Sequence, residues 1–459
     1  MRTERRRRRT IRSSLFRARR TTLTELAPPV GGFAALRGWL LASRRNAGIV
    51  VAGVVWVGFV ANFAVLYIAG GDAPYQYQWV QRLYGQRAHA DGYFFGLGLL
   101  EAPFYGIGRL LRRTGVHIVG GFPVEMVMVA LGTGLVVVPA GFLLVRLLRA
   151  LDLAAIGTSL LAAFFGTSLV FWVVFSPGKN HPADAALFTL VVYLVYRYFR
   201  GDARRSRLLW ALGATLGFSI TVRYFSGAEA VALVATLLAF RRVADAIRIA
   251  CSTAVTCALL FAIPLALGTP VFGGGYGVSQ QSGFYPLNPL RMLFTDHRGL
   301  FVWSPVTVLA LAGLVLLYRR RADLRPFLVA VYAMGAAIVA SYAFVPYWDG
   351  AWSFGQRYYT PLFPLVVLGL AALFDAARGR ARIAVAALTV AATAWSLFLC
   401  FNLFFIGGHV YTGPTFGDGA VGVARLQSKT HTPWGQYAWS IYYRSRLVKP
   451  LIPWPFSHS

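Results

Sequence analysis

Nine carboxylates stand where a carboxylate is costly: Asp72, Asp91, Glu101, Glu125, Asp184, Glu229, Asp296, Asp349 and Asp418 lie beside or within apolar stretches of the chain. An ionisable group near lipid is a functional candidate unless it is paired or faces water. Cations recur in the same segments, as Arg82, Arg87, His89, Lys179, His181, Arg223, Arg291, His297, Arg298 and Arg357. Tyr and Trp crowd "PYQYQW", "FVWSP" and "YAFVPYWDGAWSFGQRYY". Carboxylate, cation and aromatic ring together suit an anionic ligand with a polar, ring-shaped part. Arginine and lysine hold phosphate through charge-assisted hydrogen bonds, and an aromatic face can stack on a sugar.

Each residue also has a plainer role. Asp72, in "GGDAPY", has the chemistry of a turn or helix-cap acid. Single Tyr and Trp residues suit an interfacial belt. Lys179 and His181 could snorkel at a helix end, and Arg223 reads as an interfacial anchor. Asp349 could shape a Trp-Asp-Gly turn or pair with Arg357. Glu125 and Glu229 read as satisfied within a bundle. "FGGGYG" follows no strand and precedes no Lys-Ser/Thr, so it is a flexible flap rather than a nucleotide loop. Cys251, Cys257 and Cys400 lie in apolar stretches without ligand-like spacing and read as small core residues.

Composition fixes the class. Of 459 residues 57% are hydrophobic and 13% charged, against about 25% charged in soluble domains. Mean hydropathy is +0.58. Such a chain cannot cover itself with polar surface, which makes it a polytopic membrane protein. The net charge of +29 comes from 45 Lys+Arg against 16 Asp+Glu. Because the basic residues sit between apolar stretches, they orient the chain and meet anionic membrane lipids; no nucleic-acid partner is expected.

A span needs about 20 mostly apolar residues. Candidates lie near 48–69, 122–147, 153–175, 183–199, 207–224, 226–241, 249–268, 304–318, 327–346, 362–377 and 383–407. The expected fold is all-α, a polytopic transmembrane bundle of about 11 spans whose extracytoplasmic loops carry short interfacial helices. "RLLRALD", "RYFRGDARRSR", "FRRVADAIR", "YRRRADLR" and "ARGRARI" alternate with Gly/Pro/aromatic segments, so the Arg-rich loops are cytoplasmic. Glu4, Glu25, Asp152, Asp202, Asp245, Asp323 and Asp375 fall among those basic segments and read as solvated partners of arginines. The domains expected are 1–45, a cytoplasmic basic tail with a surface helix; 46–407, the membrane domain; and 408–459, an extracytoplasmic tail. The protein is expected in the cell membrane, multi-pass, with its amino terminus cytoplasmic.

"GGDAPYQYQWVQRLYGQRAHADGYFFGLGLLEAPFYGIGRLL" resembles the first outer loop of GT-C membrane glycosyltransferases. "SPGKNHPADAALF", "LFTDHRGLFVWSPVTVLALAGL" and "WDGAWSFGQRYYTPLFPLVVLGL" are similar to later segments of bacterial members, in the same order across most of 46–380. The likeness is to the group of dolichyl-phosphate-mannose protein mannosyltransferases and lipid A aminoarabinose transferases. It implies transfer of a sugar from a polyprenyl-phosphate donor to an envelope glycan, lipid or protein acceptor on the extracytoplasmic face. Asp72 matches the family's catalytic Asp. As a general base it would take the acceptor hydroxyl's proton while the anomeric carbon is attacked with inversion. Lys179, His181, Arg298 and Arg357 would stabilise the departing phosphate. Tyr75, Asp91, Glu101, His297, Asp349 and Tyr358 complete the expected substrate site.

Family members often carry a second acid directly after the first, where this chain has Ala73 and Pro74. Asp91 or Glu101 could supply a second carboxylate. No metal or other cofactor is assigned, and a divalent cation is left open. The alternative function is a transporter or flippase of a lipid-linked or anionic solute, which would be expected to place charges at the midplane and show internal repeats. Topology is directly testable. In a background lacking the native cysteines, a membrane-impermeant thiol reagent added outside should label Gln280→Cys and not Arg204→Cys. The reverse pattern would put every candidate residue in the cytosol.

Overall fold

The computed structural model describes residues 73–86, 95–119, 122–175, 177–201, 205–269, 284–295, 299–344 and 354–411. The tail 1–45, the first expected span and nearly all of the tail 408–459 lie outside them. Runs of Leu, Val and Ala, punctuated by Gly, Pro and Arg, fold as helices. In chain order these are α1 (Ala73–Leu83), α2 (Phe95–Arg113), α3 (Val124–Leu135), α4 (Val137–Ala150), α5 (Ile156–Gly166), α6 (Asn180–Phe199), α7 (Arg205–Val222) and α8 (Gly227–Ala239). They continue as α9 (Val243–Ala266), α10 (Asn288–Phe294), α11 (Leu300–Trp303), α12 (Val306–Arg320), α13 (Arg325–Ser341), α14 (Phe363–Ala376) and α15 (Arg380–Tyr411). The strands among the described residues are one antiparallel pair, β1 (Ile118–Val119) and β2 (Phe122–Pro123), which turns α2 back onto α3.

The fold is therefore all-α, and the chain is a multi-pass membrane protein. Val124–Ala150, Val243–Ala266, Ala322–Phe344, Arg357–Ala376 and Arg380–Cys400 are each long and apolar enough to cross a bilayer. The other expected stretches from 153 onward are helical too, but shorter or more polar. Lipid offers backbone groups no partners, so helices that close their own hydrogen bonds are the form such stretches must take.

The bundle has two chemically different ends. At one, the carboxyl ends of α4, α6, α8, α12 and α14 all run into arginine. Tyr196 Oη donates to the Ala150 carbonyl at 3.1 Å, and Arg321 Nη1 to the Leu151 carbonyl at 2.9 Å. Tyr198 Oη donates to Asp245 Oδ2 at 2.5 Å and accepts from Arg242 Nη1 at 3.0 Å. Asp245 is thus buried, which corrects its reading as a solvated group: the Tyr198 hydroxyl, itself held by Arg242, packs against it. Cys251, expected in the core, is exposed, whereas Cys400 is buried. Helices α12 and α14 approach so closely that a Cβ on Gly313 would strike the Gly369 carbonyl, and one on Gly369 the Ala310 carbonyl. Small residues permit this backbone-on-backbone packing, which is common in membranes.

Against α3 packs α2, outside the spans, with Gly132 facing the Phe104 ring and Gly108 facing the Glu125 backbone. Glu101 faces inward here at 1% exposure. Thr133 Oγ1 lies 2.9 Å from both Glu101 Oε1 and the Val129 carbonyl. One hydroxyl proton can serve only one of these, and a protonated carboxyl resolves the conflict. Burial accordingly lifts the Glu101 carboxyl to about 8, against the lowering effect of the Thr133 hydrogen bond. Between the ordinary value of 4.5 and about 8, the folded chain keeps a proton that the unfolded chain releases. Stability is therefore full below that window and falls as pH rises through it. Glu101→Gln should remove the dependence and raise stability at pH 8 by a few kcal/mol, on the order of magnitude given by about 1.4 kcal/mol per pH unit. Thermal unfolding in detergent at pH 5 and pH 8 checks this; a wild-type slope in the variant would show that Glu101 is already ionised.

Candidate functional site

At the end opposite the arginines, four segments meet. The first follows α5. Thr167 is extended, and Phe171–Phe175 form a π-helical turn, a form often found at functional sites. It presents the Phe171 ring to Phe354 at 5.8 Å and buries Trp172 fully. Gly178, at φ +79°, then makes a left-handed turn that glycine takes at no steric cost. This turn delivers Lys179 and His181 to the start of α6. Lys179 Nζ lies 4.8 Å from the Trp172 ring centre, and the His181 ring 4.4 Å from it.

From the carboxyl end of α7 comes Arg223, whose Nη1 donates to Asp184 Oδ2 of α6 at 2.6 Å. The other oxygen, Asp184 Oδ1, accepts from Ser226 Oγ at 3.1 Å. Glu229, on the first turn of α8, is buried beside this pair. The remaining wall is aromatic. Tyr342 stacks on Tyr358 at 4.8 Å, and the Arg223 guanidinium lies 5.6 Å from each ring. Arg357 opens the 3₁₀ turn before α14 and lies 5.1 Å from the Tyr358 ring. That turn is tied back to the first segment by a Ser168–Thr360 hydroxyl contact of 3.1 Å.

Lys179, Arg223 and Arg357 are all buried, at 5%, 4% and 9% exposure, so their charges act with little screening. His181 precedes the apolar stretch 183–199. Burial first, then the charges of Arg223, Arg357 and Lys179, hold its imidazole well below the usual histidine range, and it is neutral. Its Nδ1 has no hydrogen-bond partner, and neither has the neighbouring Trp172 indole nitrogen. Buried polar atoms left unmade cost about 1–3 kcal/mol each. An indole donor and an imidazole nitrogen are thus left open among three cations, with the Tyr342 and Tyr358 faces beside them.

The structure thus brings together Lys179, His181, Arg357 and Tyr358. Glu101 lies elsewhere, between α2 and α3. The backbone of Tyr75 belongs to α1. Asp72, Asp91, His297, Arg298 and Asp349 lie outside the described residues. Arg223 corrects its reading as an interfacial anchor: it is an interior guanidinium, held by a carboxylate. Asp184, one of the nine candidate carboxylates, was not assigned to the substrate site, and Trp172 and Tyr342 were not singled out. The acid's position one turn into an apolar helix was a usable signal, whereas nothing in the sequence tied it to an arginine 39 residues away. Glu125, expected to be satisfied, pairs with Arg112 at 3.0 Å through one oxygen only; its other oxygen, like Glu229 Oε2, has no hydrogen-bond partner. Among the described residues no group of three His, Cys, Asp or Glu side chains is placed to hold a metal ion.

No protein-family model and no curated protein matches the chain. Similar solved structures include the crystal structure of ArnT from Cupriavidus metallidurans bound to undecaprenyl phosphate. It is 16% identical and covers 88% of this chain and 75% of that one, with a TM-score of 0.48. The apo state of the same protein is 16% identical over 89% and 76%, with a TM-score of 0.45. Likeness at that level carries no argument about chemistry.

Removing one member of a buried ion pair leaves an uncompensated charge, at a cost of about 3–5 kcal/mol. Asp184→Ala should therefore destabilise the bundle by that amount, and adding Arg223→Met should restore most of the loss. Apparent melting temperatures of the single and double variants in detergent check this; additive losses would show that the pair does not act as a unit.

Proposed function

We propose that this chain is a membrane glycosyltransferase that takes a sugar from a polyprenyl-phosphate carrier on the extracytoplasmic face and passes it to a hydroxyl of a lipid, glycan or protein. One observation carries the reading: Lys179, Arg223 and Arg357 converge on a neutral, buried His181 beside an open indole nitrogen. Fixed cations of this kind are what a departing phosphate needs as its charge develops. The positive-inside rule puts the arginine end of the bundle in the cytoplasm and this cluster on the other side. There it meets carriers whose sugars have already crossed the membrane. The sequence resemblance to GT-C enzymes supports the same assignment.

In the proposed step the acceptor oxygen attacks the anomeric carbon as the carbon–oxygen bond to phosphate breaks. The hydroxyl proton passes to the Asp72 carboxylate, and polyprenyl phosphate leaves. A single displacement inverts the anomeric centre. Lys179, Arg223 and Arg357, with Arg298 expected beside them, take the phosphate; Tyr358 faces the sugar. Asp72 directly precedes α1, which is pinned near this end. Trp79 packs on Phe95 of α2 at 6.0 Å and on Leu260, Phe261 and Ile263 near the end of α9. Arg82 Nη2 donates to the Leu267 carbonyl at 2.7 Å. One turn into α2, Leu97 packs on Ala183 and Val222, the neighbours of Asp184 and Arg223.

Asp72→Asn keeps size and loses the base, so turnover of a polyprenyl-phosphate sugar should drop by at least about a hundredfold at normal expression, the lower end of a positioned acid–base contribution. Asp72→Glu should recover little, because its carboxylate moves by about an ångström. Arg357→Ala should raise the donor KM, and Arg357→Lys should rescue in part, since charge returns without the planar fork. Release of polyprenyl phosphate from purified protein in vesicles is the readout. Full activity of Asp72→Asn would move the base to Asp91, Glu101 or Asp349; no release by the wild type with any acceptor, alongside movement of the labelled lipid across the bilayer, would make the chain a flippase.

A further inference from the structure

A second cationic site lies on the outer face of α2, away from the buried cluster. Gly106, Arg109, Leu110 and Arg113 follow one another along that face, and with Tyr84 they line an open cavity of about 360 Å³. The Arg109 guanidinium lies 5.8 Å from the Tyr84 ring centre, and Tyr84 is fixed by its own hydroxyl, which donates to the Ala102 carbonyl at 2.9 Å. A Cβ at Gly106 would come within 2.6 Å of that hydroxyl, so glycine keeps the cavity floor open.

Two features say what the cavity takes. Of the arginines on this stretch, Arg112 is neutralised by Glu125 at 3.0 Å. Arg109 and Arg113 have no carboxylate partner among the described residues. Their guanidinia, four residues apart, can reach one anion together. Beside them the surface is apolar: Leu110 is 61% exposed, Ile107 45% and Ile118 68%. A soluble polyanion has no use for that surface, whereas a lipid has both a charged head and an apolar tail.

We propose that this cavity binds the phosphodiester headgroup of an anionic phospholipid, with Arg109 and Arg113 on the phosphate, Tyr84 beside the headgroup and an acyl chain over Leu110 and Ile107. The lipid holds the α2–α3 hairpin against the membrane surface. The site is independent of the sugar-transfer reading, because none of its residues belongs to the buried cluster.

Native mass spectrometry of the detergent-purified full chain tests it, with phosphatidylglycerol, phosphatidylcholine and inorganic phosphate as probes. Wild-type protein should retain one phosphatidylglycerol at least about tenfold more tightly than phosphatidylcholine. Inorganic phosphate at millimolar concentration should not displace it. The double variant Arg109→Gln/Arg113→Gln should lose that tight lipid, and Leu110→Ser should weaken it. A control at the opposite end, Arg380→Gln/Arg382→Gln, should keep it, and the melting temperature of lipid-free protein should be the same in all. Wild-type retention by the Arg109/Arg113 variant, equal retention of the two phospholipids, or displacement by inorganic phosphate would each overturn the proposal.

Discussion

Everything at the polar end of this bundle depends on one buried ion pair. Asp184 and Arg223 are 1% and 4% exposed, and in a low-dielectric interior neither could stand alone. Their pairing joins the start of α6 to the end of α7, and Ser226 extends it to α8. Once the Arg223 guanidinium is fixed by a carboxylate, it can face Tyr342 and Tyr358 as a rigid plane. The carboxylate leaves the local charge less positive, while Lys179 and Arg357 keep the cluster cationic. The pair therefore has a structural part, which is to close the helix ends, and a chemical one, which is to aim a cation.

The two ends of the bundle use the same residue type for opposite purposes. At the basic end, arginines follow the last turns of helices, where a cation suits the helix dipole and the aqueous interface. Most stay accessible to solvent. Within the buried cluster at the other end arginine is enclosed, held by a carboxylate or against an aromatic face, while Arg112 and Arg113 on α2 stay exposed. The neutrality of His181 follows first from its burial, and the nearby charges of Arg223, Arg357 and Lys179 add to it.

Much of this was legible in the sequence because apolar runs and arginine clusters are local signals. The stretches from 122 to 407 were placed by them, and the helices fall there. Lys179 and His181 stood out because polar residues within "FSPGKNHPAD" interrupt two apolar runs. The Asp184–Arg223 pair was not legible, since Asp184 reads only as one of nine candidate acids and Arg223 as an interfacial anchor, and only tertiary packing brings them together. Asp245 misled for the same reason. It sits among arginines in the chain, yet it is buried and accepts from Tyr198 of another helix. Glu101 was read as a substrate-site acid, and its burial against Thr133 of α3 was not legible, because that contact joins residues 32 apart in the chain.

The glycine contact between α12 and α14 has a mechanical consequence. With carbonyl groups and Cα atoms in direct contact across Gly313 and Gly369, no layer of side chains remains to yield, and the two helices move as one beam. Arg357 rides on that beam through the turn that opens α14, whereas Lys179 and Arg223 ride on α6 and α7. An anion seated among the three would join that beam to α6 and α7, like a rivet through two plates. Occupancy of the cluster would then be felt as stiffness throughout the bundle, and the vacant protein would be the softer one.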